Sequence, residues 1–127
     1  MTRIITSLLL TVVVTAALAA AESPKLIVAK FHADWCASCK AMGEVEKDLE
    51  NKFDGKSVLF VTFDRTNNSS SHQSELLASG LGLAEVYKAN QGTGFLLVLD
   101  ADSKESKARL TRNHDFKEMT EAIEEAL

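Results

Sequence analysis

Cys36 and Cys39 are the only two cysteines in the chain, and two residues separate them. A dithiol at this spacing can close into a small disulfide ring and reopen, passing two electrons. A structural disulfide stabilises chiefly by closing a long loop, and this loop is nearly the shortest available. The spacing therefore points to a catalytic pair. At the start of a helix, unpaired N–H groups and the helix dipole favour a thiolate, the form that attacks. Lys40 adds positive charge close by. The expected division makes Cys36 the nucleophile and Cys39, one turn further in and more buried, the resolving thiol.

The flanking sequence supplies that helix start. Lys25 to Ala33 contains Leu26, Ile27, Val28 and Phe31 and reads as a strand buried on both faces. From Ala37 the period changes. Met42, Val45, Leu49 and Phe53 recur at helical spacing, Glu44, Glu46, Lys47, Asp48 and Glu50 fill the other face, and Asp54-Gly55 ends the helix. The cysteine pair thus falls at a strand-to-helix junction. Ser57–Phe63 reads as a second buried strand and the polar run Asp64–Ser71 as a mobile surface loop. His72–Ser79 reads as a helix with Leu76 and Leu77 inward, and Leu81–Ala89 as another turn or two. Gln91–Gly94 is a tight connection, Phe95–Leu99 a third buried strand, and Lys107–Thr111 a polar edge strand. Asp115 with Glu118 forms a capping box for a last helix that presents Phe116, Met119 and Ile123 on one face. Strands alternating with helices, then a strand pair, predict an α/β fold: a mixed sheet of about four strands with helices on both faces.

A chain of 127 residues with 46% hydrophobic and 25% charged residues has the length and composition of one globular domain. A net charge of −4 argues against a nucleic-acid partner. Residues 1–21 read as a signal peptide: Arg3, an apolar run from Leu8 to Leu18, then Ala19-Ala20-Ala21 before a cut at Glu22. An uncleaved membrane anchor is the alternative. Nothing later is long and apolar enough to span a membrane, so the mature domain is expected to be residues 22–127, exported across the inner membrane to the periplasm.

The segment Trp35-Cys36-Ala37-Ser38-Cys39-Lys40, set between the first strand and first helix of this element order, resembles the thioredoxin family. The resemblance covers residues 25–127, and Ala33–Lys40 is most similar to secreted, membrane-facing members that carry electrons to periplasmic disulfides. It implies a thioredoxin-like fold and a thiol-disulfide oxidoreductase of the protein-disulfide reductase type. Its partners would be protein disulfides and an upstream thiol-disulfide electron donor or acceptor. It would need no cofactor beyond the Cys36–Cys39 disulfide, and a monomer is expected. Trp35, Ala37, Ser38, Lys40, Thr93 and Gly94 would line the site, with Trp35 shielding it and offering a surface to partners.

Three positions depart from the family pattern. Many members carry a buried acid six residues before the first cysteine; here that residue is Lys30. Lysine cannot act as that carboxylate, and its long stem suits snorkelling to solvent. As a neutral amine it would instead accept a proton, so Lys30, Asp34 and Glu44 are the candidate proton relays. The family's cis-proline position falls at Gly94, within Gly92-Thr93-Gly94-Phe95. A cis Thr93–Gly94 bond would cost about 2.5–4 kcal/mol, so trans is expected. The helix also lacks a kinking proline in Ala41-Met42-Gly43-Glu44. Between the cysteines, Ala37-Ser38 lacks the histidine of strongly oxidising relatives, which leans the chain toward a reductant. Two other readings compete. One is a metal-binding module for copper(I) or zinc built on Cys36, Cys39 and a histidine, His32 being nearest and His72 and His114 remote. The other is a redox-inert interaction protein.

Overall fold

The side chains of β1 (Leu26–His32) alternate between two cores. Leu26 and Val28 join Met42, Leu49 and Phe53 of the first helical segment and Met119 and Ile123 of the last. Ile27, Ala29 and Phe31 face the other way, against Phe63, Ala78, Leu83 and Tyr87. The computed structural model describes residues 23–127, so the expected signal peptide at 1–21 lies outside the described residues. After β1 come α1 (Ala37–Lys52), β2 (Val58–Asp64), α2 (Asn68–Gly80), α3 (Ala84–Ala89), β3 (Phe95–Asp100), β4 (Ser106–Thr111) and α4 (Phe116–Ala126).

The four strands form one sheet in the order β2-β1-β3-β4. β2 runs parallel to β1 because α1 returns the chain to the same end, while β3 is antiparallel to both β1 and β4. The expected mixed sheet is therefore present, with α1 and α4 on one face and α2 and α3 on the other. β1 is central, which places its C-terminal end, and the turn into α1, in the middle of one sheet edge. Full burial of Leu49 and Met42 stabilises the seating of α1 by about 2 kcal/mol per side chain. Among the described residues, no helix is long and apolar enough to cross a membrane.

Four local expectations are corrected. β2 is not a buried strand: it has a neighbour on one side only, Phe63 alone is fully covered, and Leu59 is 36% exposed. The polar run Asp64–Ser71 is not a mobile loop throughout. Asn67 caps α2 in a reciprocal box with Ser70, so Asn68–Ser71 form its first turn. The same short polar side chains that favour loops also cap helices. The inward residues of α2 are Ser74 and Ala78, whereas Leu76 (62%) and Leu77 (42%) are exposed. The Ser74 hydroxyl sets that rotation: it accepts from Asp64 N–H at 2.7 Å and donates to Asp64 O at 2.9 Å. In α4 the capping box of Asp115 and Glu118 forms as expected, but Phe116 lies on the exposed side and Thr120 takes an inward place.

Candidate active site

β1 ends at His32, a turn closed by Cys36 N–H to Ala33 O (3.1 Å) follows, and α1 begins at Ala37. Cys36 is the N-cap of α1, in extended backbone (φ −85°, ψ 112°), and its Sγ accepts from Cys39 N–H at 3.2 Å. Sulfur here occupies the place that a serine or aspartate oxygen usually takes, so the helix start acts directly on the thiol. Both cysteines are buried free thiols. Cys39 Sγ donates to Phe31 O at 3.7 Å, a bond to the protonated form.

The two thiols are driven apart in acidity. Burial pushes Cys36 up, but the neighbouring polar groups of Cys39, Thr93 and Ser38, among them the Cys39 N–H bonded to its sulfur, outweigh it, and its pKa lies below the ordinary thiol value. Cys39 goes the other way: burial raises it, and the thiol of Cys36 raises it further, against the opposing pull of the Ala33 backbone and the Lys30 charge. The assignment of Cys36 as attacking and Cys39 as resolving thiol fits this separation.

The loop before β3 closes the other side. Gly94 N–H donates to Phe31 O at 2.8 Å, so one carbonyl of β1 holds both this loop and Cys39. Gly94 has φ +87°, and a Cβ there would stand 2.7 Å from Ser38 Cβ and 3.2 Å from Cys36 Sγ. Only glycine satisfies both the backbone and the space. The peptide bond is trans, as expected; there is no cis bond among the described residues. Gly94 thus faces the cysteine pair, with Thr93 beside it, while Ala37 and Lys40 are exposed and Ser38 is half-buried.

Trp35 is 67% exposed, and its ring N–H donates to Thr66 O at 3.1 Å. Thr66 is the hub of this rim. Its hydroxyl accepts from Asp34 N–H at 2.9 Å and donates to Asp64 Oδ1 at 2.6 Å, while its own N–H donates to the same oxygen at 2.8 Å. The Thr66 hydroxyl is the main cause holding the Asp64 carboxyl below its usual range. Beside it, Arg65 donates to the carbonyls of Tyr87 (2.8 Å) and Asn90 (2.9 Å), and its guanidinium lies 4.0 Å from the Tyr87 ring centroid. Sequence reasoning placed Asp64, Arg65 and Thr66 in a mobile loop. The available signal was Asp-x-Thr, in which an Asp side chain bonds the backbone two residues on.

The three candidate relays separate. Asp34 is exposed and pairs with His32 at 3.0 Å; Glu44 is exposed on the outer side of α1. Lys30 does not snorkel free into solvent: its ammonium pairs with Glu46, which is buried and not on the outer face of α1. The signal for Glu46 was present, because it lies four residues after Met42 and three before Leu49, on the apolar stripe. The histidines do not gather at the thiols. His32 is held by Asp34, His72 lies near Glu75 and His114 accepts from Thr111 N–H at 3.0 Å. Among the described residues, no group of three or more His, Cys, Asp and Glu side chains is placed to hold a metal ion.

Comparison with known proteins agrees with this geometry. The thioredoxin family model matches residues 15–94. Among solved structures, a thiol:disulfide interchange protein of the thioredoxin family from Chlorobium tepidum TLS superposes with a TM-score of 0.58 at 14% identity, covering 80% of this chain and 79% of that one. A mutant thioredoxin from Halobacterium salinarum NRC-1 gives 0.52 at 20% identity, covering 81% and 75%. The thioredoxin of Fasciola hepatica gives 0.52 at 16% identity, covering 83% and 84%. No curated protein sequence matches the chain. At these identities the superpositions establish the fold, and the family match, which spans more than half of the chain, establishes membership: the chain belongs to the thioredoxin family, whose activity is that of thiol-disulfide oxidoreductases.

Proposed function

We propose that the chain is an exported protein-disulfide reductase that works in the periplasm as a monomer, with the Cys36/Cys39 dithiol as its only redox group. The observation that carries the reading is the N-cap geometry: Cys36 Sγ accepts the Cys39 N–H at the start of α1, with its pKa lowered while that of its neighbour is raised.

The chemistry runs in two exchanges. The Cys36 thiolate attacks one sulfur of a partner disulfide, forming a Cys36–partner bond and expelling the other partner sulfur as thiolate. Cys39 then loses its proton and attacks Cys36 Sγ. The Cys36–Cys39 bond forms, the mixed disulfide breaks, and the second partner sulfur leaves. Two electrons have passed from the dithiol to the partner, whose thiolates take up two protons. An upstream thiol donor then reduces the Cys36–Cys39 disulfide again. The reductant direction is supported by Ala37-Ser38, which adds no positive group beside the thiolate. Export is supported by the signal pattern of residues 1–21.

Turnover of a protein disulfide with a thiol donor tests the reading. Cys36→Ser is expected to reduce turnover to background, and Cys39→Ser to accumulate mixed disulfides that Cys36→Ser does not form. Undiminished turnover in Cys36→Ser contradicts the assignment. Equilibration with a dithiol couple of known potential tests direction, and fractionation of cells carrying the full chain tests export.

A further inference from the structure

Arg65 bonds to the ends of both segments that meet at Cys36. Its backbone N–H donates at 2.7 Å to the carbonyl of His32, the last residue of β1 before the turn into α1. Its guanidinium donates to Tyr87 O at 2.8 Å and to Asn90 O at 2.9 Å, in the last turn and at the C-cap of α3. α3 has only six residues and no side-chain hydrogen bond at its N-cap, so it depends on partners outside itself, and a cation at its C-terminal carbonyls is one. Beyond α3, residues 90–93 run on without regular structure. Among the described residues, the Arg65 bond to Asn90 O is the only hydrogen bond to the backbone of this stretch. At its far end Gly94 N–H bonds Phe31 O at 2.8 Å, and a Cβ on Gly94 would stand 3.2 Å from Cys36 Sγ. The stretch beside the attacking thiol is thus strung between two fixed points, and one of them is the Arg65 side chain.

We propose that Arg65 is a positioning residue for the exchange: its guanidinium holds the end of α3 beside the end of β1, which fixes how far residues 90–94 stand from Cys36 and how wide an opening a partner chain has to the thiol. This rests on the disulfide-exchange reading above. Two features support positioning over plain packing. The side-chain bonds go to the carbonyls of a short helix and of an otherwise untied loop, not to the strands, so their loss frees the loop and leaves the sheet paired. The geometry also calls for arginine: one planar fork reaches two carbonyls while its face lies 4.0 Å from the Tyr87 ring centroid, and the point charge of a lysine cannot do both. Arg65 acts through the loop, and none of its hydrogen bonds goes to a thiol.

The test compares the wild type with Arg65→Met, which keeps the stem and removes the donors, and with Arg65→Lys, which keeps the charge without the fork. Hydrogen exchange of the Gly94 amide is read by NMR, with the amides of Val28 and Val98 in the central strands as reference. KM and kcat are measured for a protein disulfide and for a small dialkyl disulfide. In Arg65→Met the Gly94 amide is expected to exchange about tenfold faster, while the reference amides change by less than about twofold. KM for the protein disulfide rises roughly three- to tenfold with kcat nearly constant, and turnover of the small disulfide is unchanged. Arg65→Lys falls between, and carries the same comparison if Arg65→Met does not fold. Wild-type Gly94 exchange and KM in a folded variant overturn the proposal. So does acceleration of all three amides in step, the mark of a purely structural residue. If the wild type reduces no protein disulfide, the disulfide-exchange reading falls, while Gly94 exchange still decides whether Arg65 holds the loop at Cys36.

Discussion

The rim and the floor of the active site are built by opposite means. The rim is polar and partly exposed: Trp35, Thr66 and Asp64 are tied by hydrogen bonds, and the Cys36 sulfur accepts the Cys39 N–H at a helix start. The floor is buried: Cys39 lies on the inner face of α1, its thiol bonded to one backbone carbonyl and its acidity opposed by burial. Two residues of sequence separate these environments. The difference teaches how identical side chains acquire different acidities. At the rim, donors outweigh desolvation and favour the Cys36 thiolate; on the floor, desolvation wins and favours the protonated Cys39 thiol, which is the order of acidities the proposed exchange needs.

Gly94 is where rim and floor meet, through Phe31 O, and breaking it has the largest expected effect on the fold of the site. Gly94→Pro supplies the residue that the family carries there. Yet it removes the N–H that bonds Phe31 O, and its fixed negative φ conflicts with +87°. A loss of about 2–4 kcal/mol in urea unfolding is expected, together with slowed turnover. An unchanged midpoint and rate would mean that the loop has a second stable path.

Thr66→Val sharpens the comparison at the rim alone. It deletes a hydroxyl that accepts from Asp34 and donates to Asp64, and leaves the floor untouched. A destabilisation of about 1 kcal/mol is expected, with changed Trp35 fluorescence. The pH dependence has a definite sign. The folded Asp64 carboxyl is held below its unfolded value, so its stabilisation is fully present above the ordinary carboxylate range. It is lost as pH falls through the depressed folded value. The deficit of Thr66→Val should therefore be full at neutral pH and shrink in acid, which chemical denaturation across pH can follow.

Much of the floor was legible in the sequence. The buried strand Leu26–Phe31, the change of period at Ala37 and the stop at Asp54-Gly55 fix a strand-turn-helix unit by local pattern alone, and that unit places both cysteines. The matching of Gly94 to the site was legible through the family pattern. The rim was not. Thr66 and Arg65 reach Trp35, Tyr87 and Asn90 across long sequence separations, and a polar run does not show whether its partners lie in water or on another strand. The face of α2 was misread for a related reason. Two leucines outweigh one serine by hydrophobicity, but the serine makes two bonds to the β2 backbone, and those set the rotation of the helix. Glu46 was readable from spacing, yet a carboxylate on an apolar stripe makes sense only once Lys30 is seen beneath it.

The division of labour between the thiols is tested most directly by alkylating the reduced protein across pH and locating the label on each cysteine by mass spectrometry, in the wild type and in Thr93→Val. The account predicts that Cys36 is labelled first, with a midpoint below the ordinary thiol value that moves up in Thr93→Val, and that Cys39 is labelled only at higher pH. Labelling of Cys39 ahead of Cys36, or a Cys36 midpoint at or above the ordinary thiol value, would contradict it.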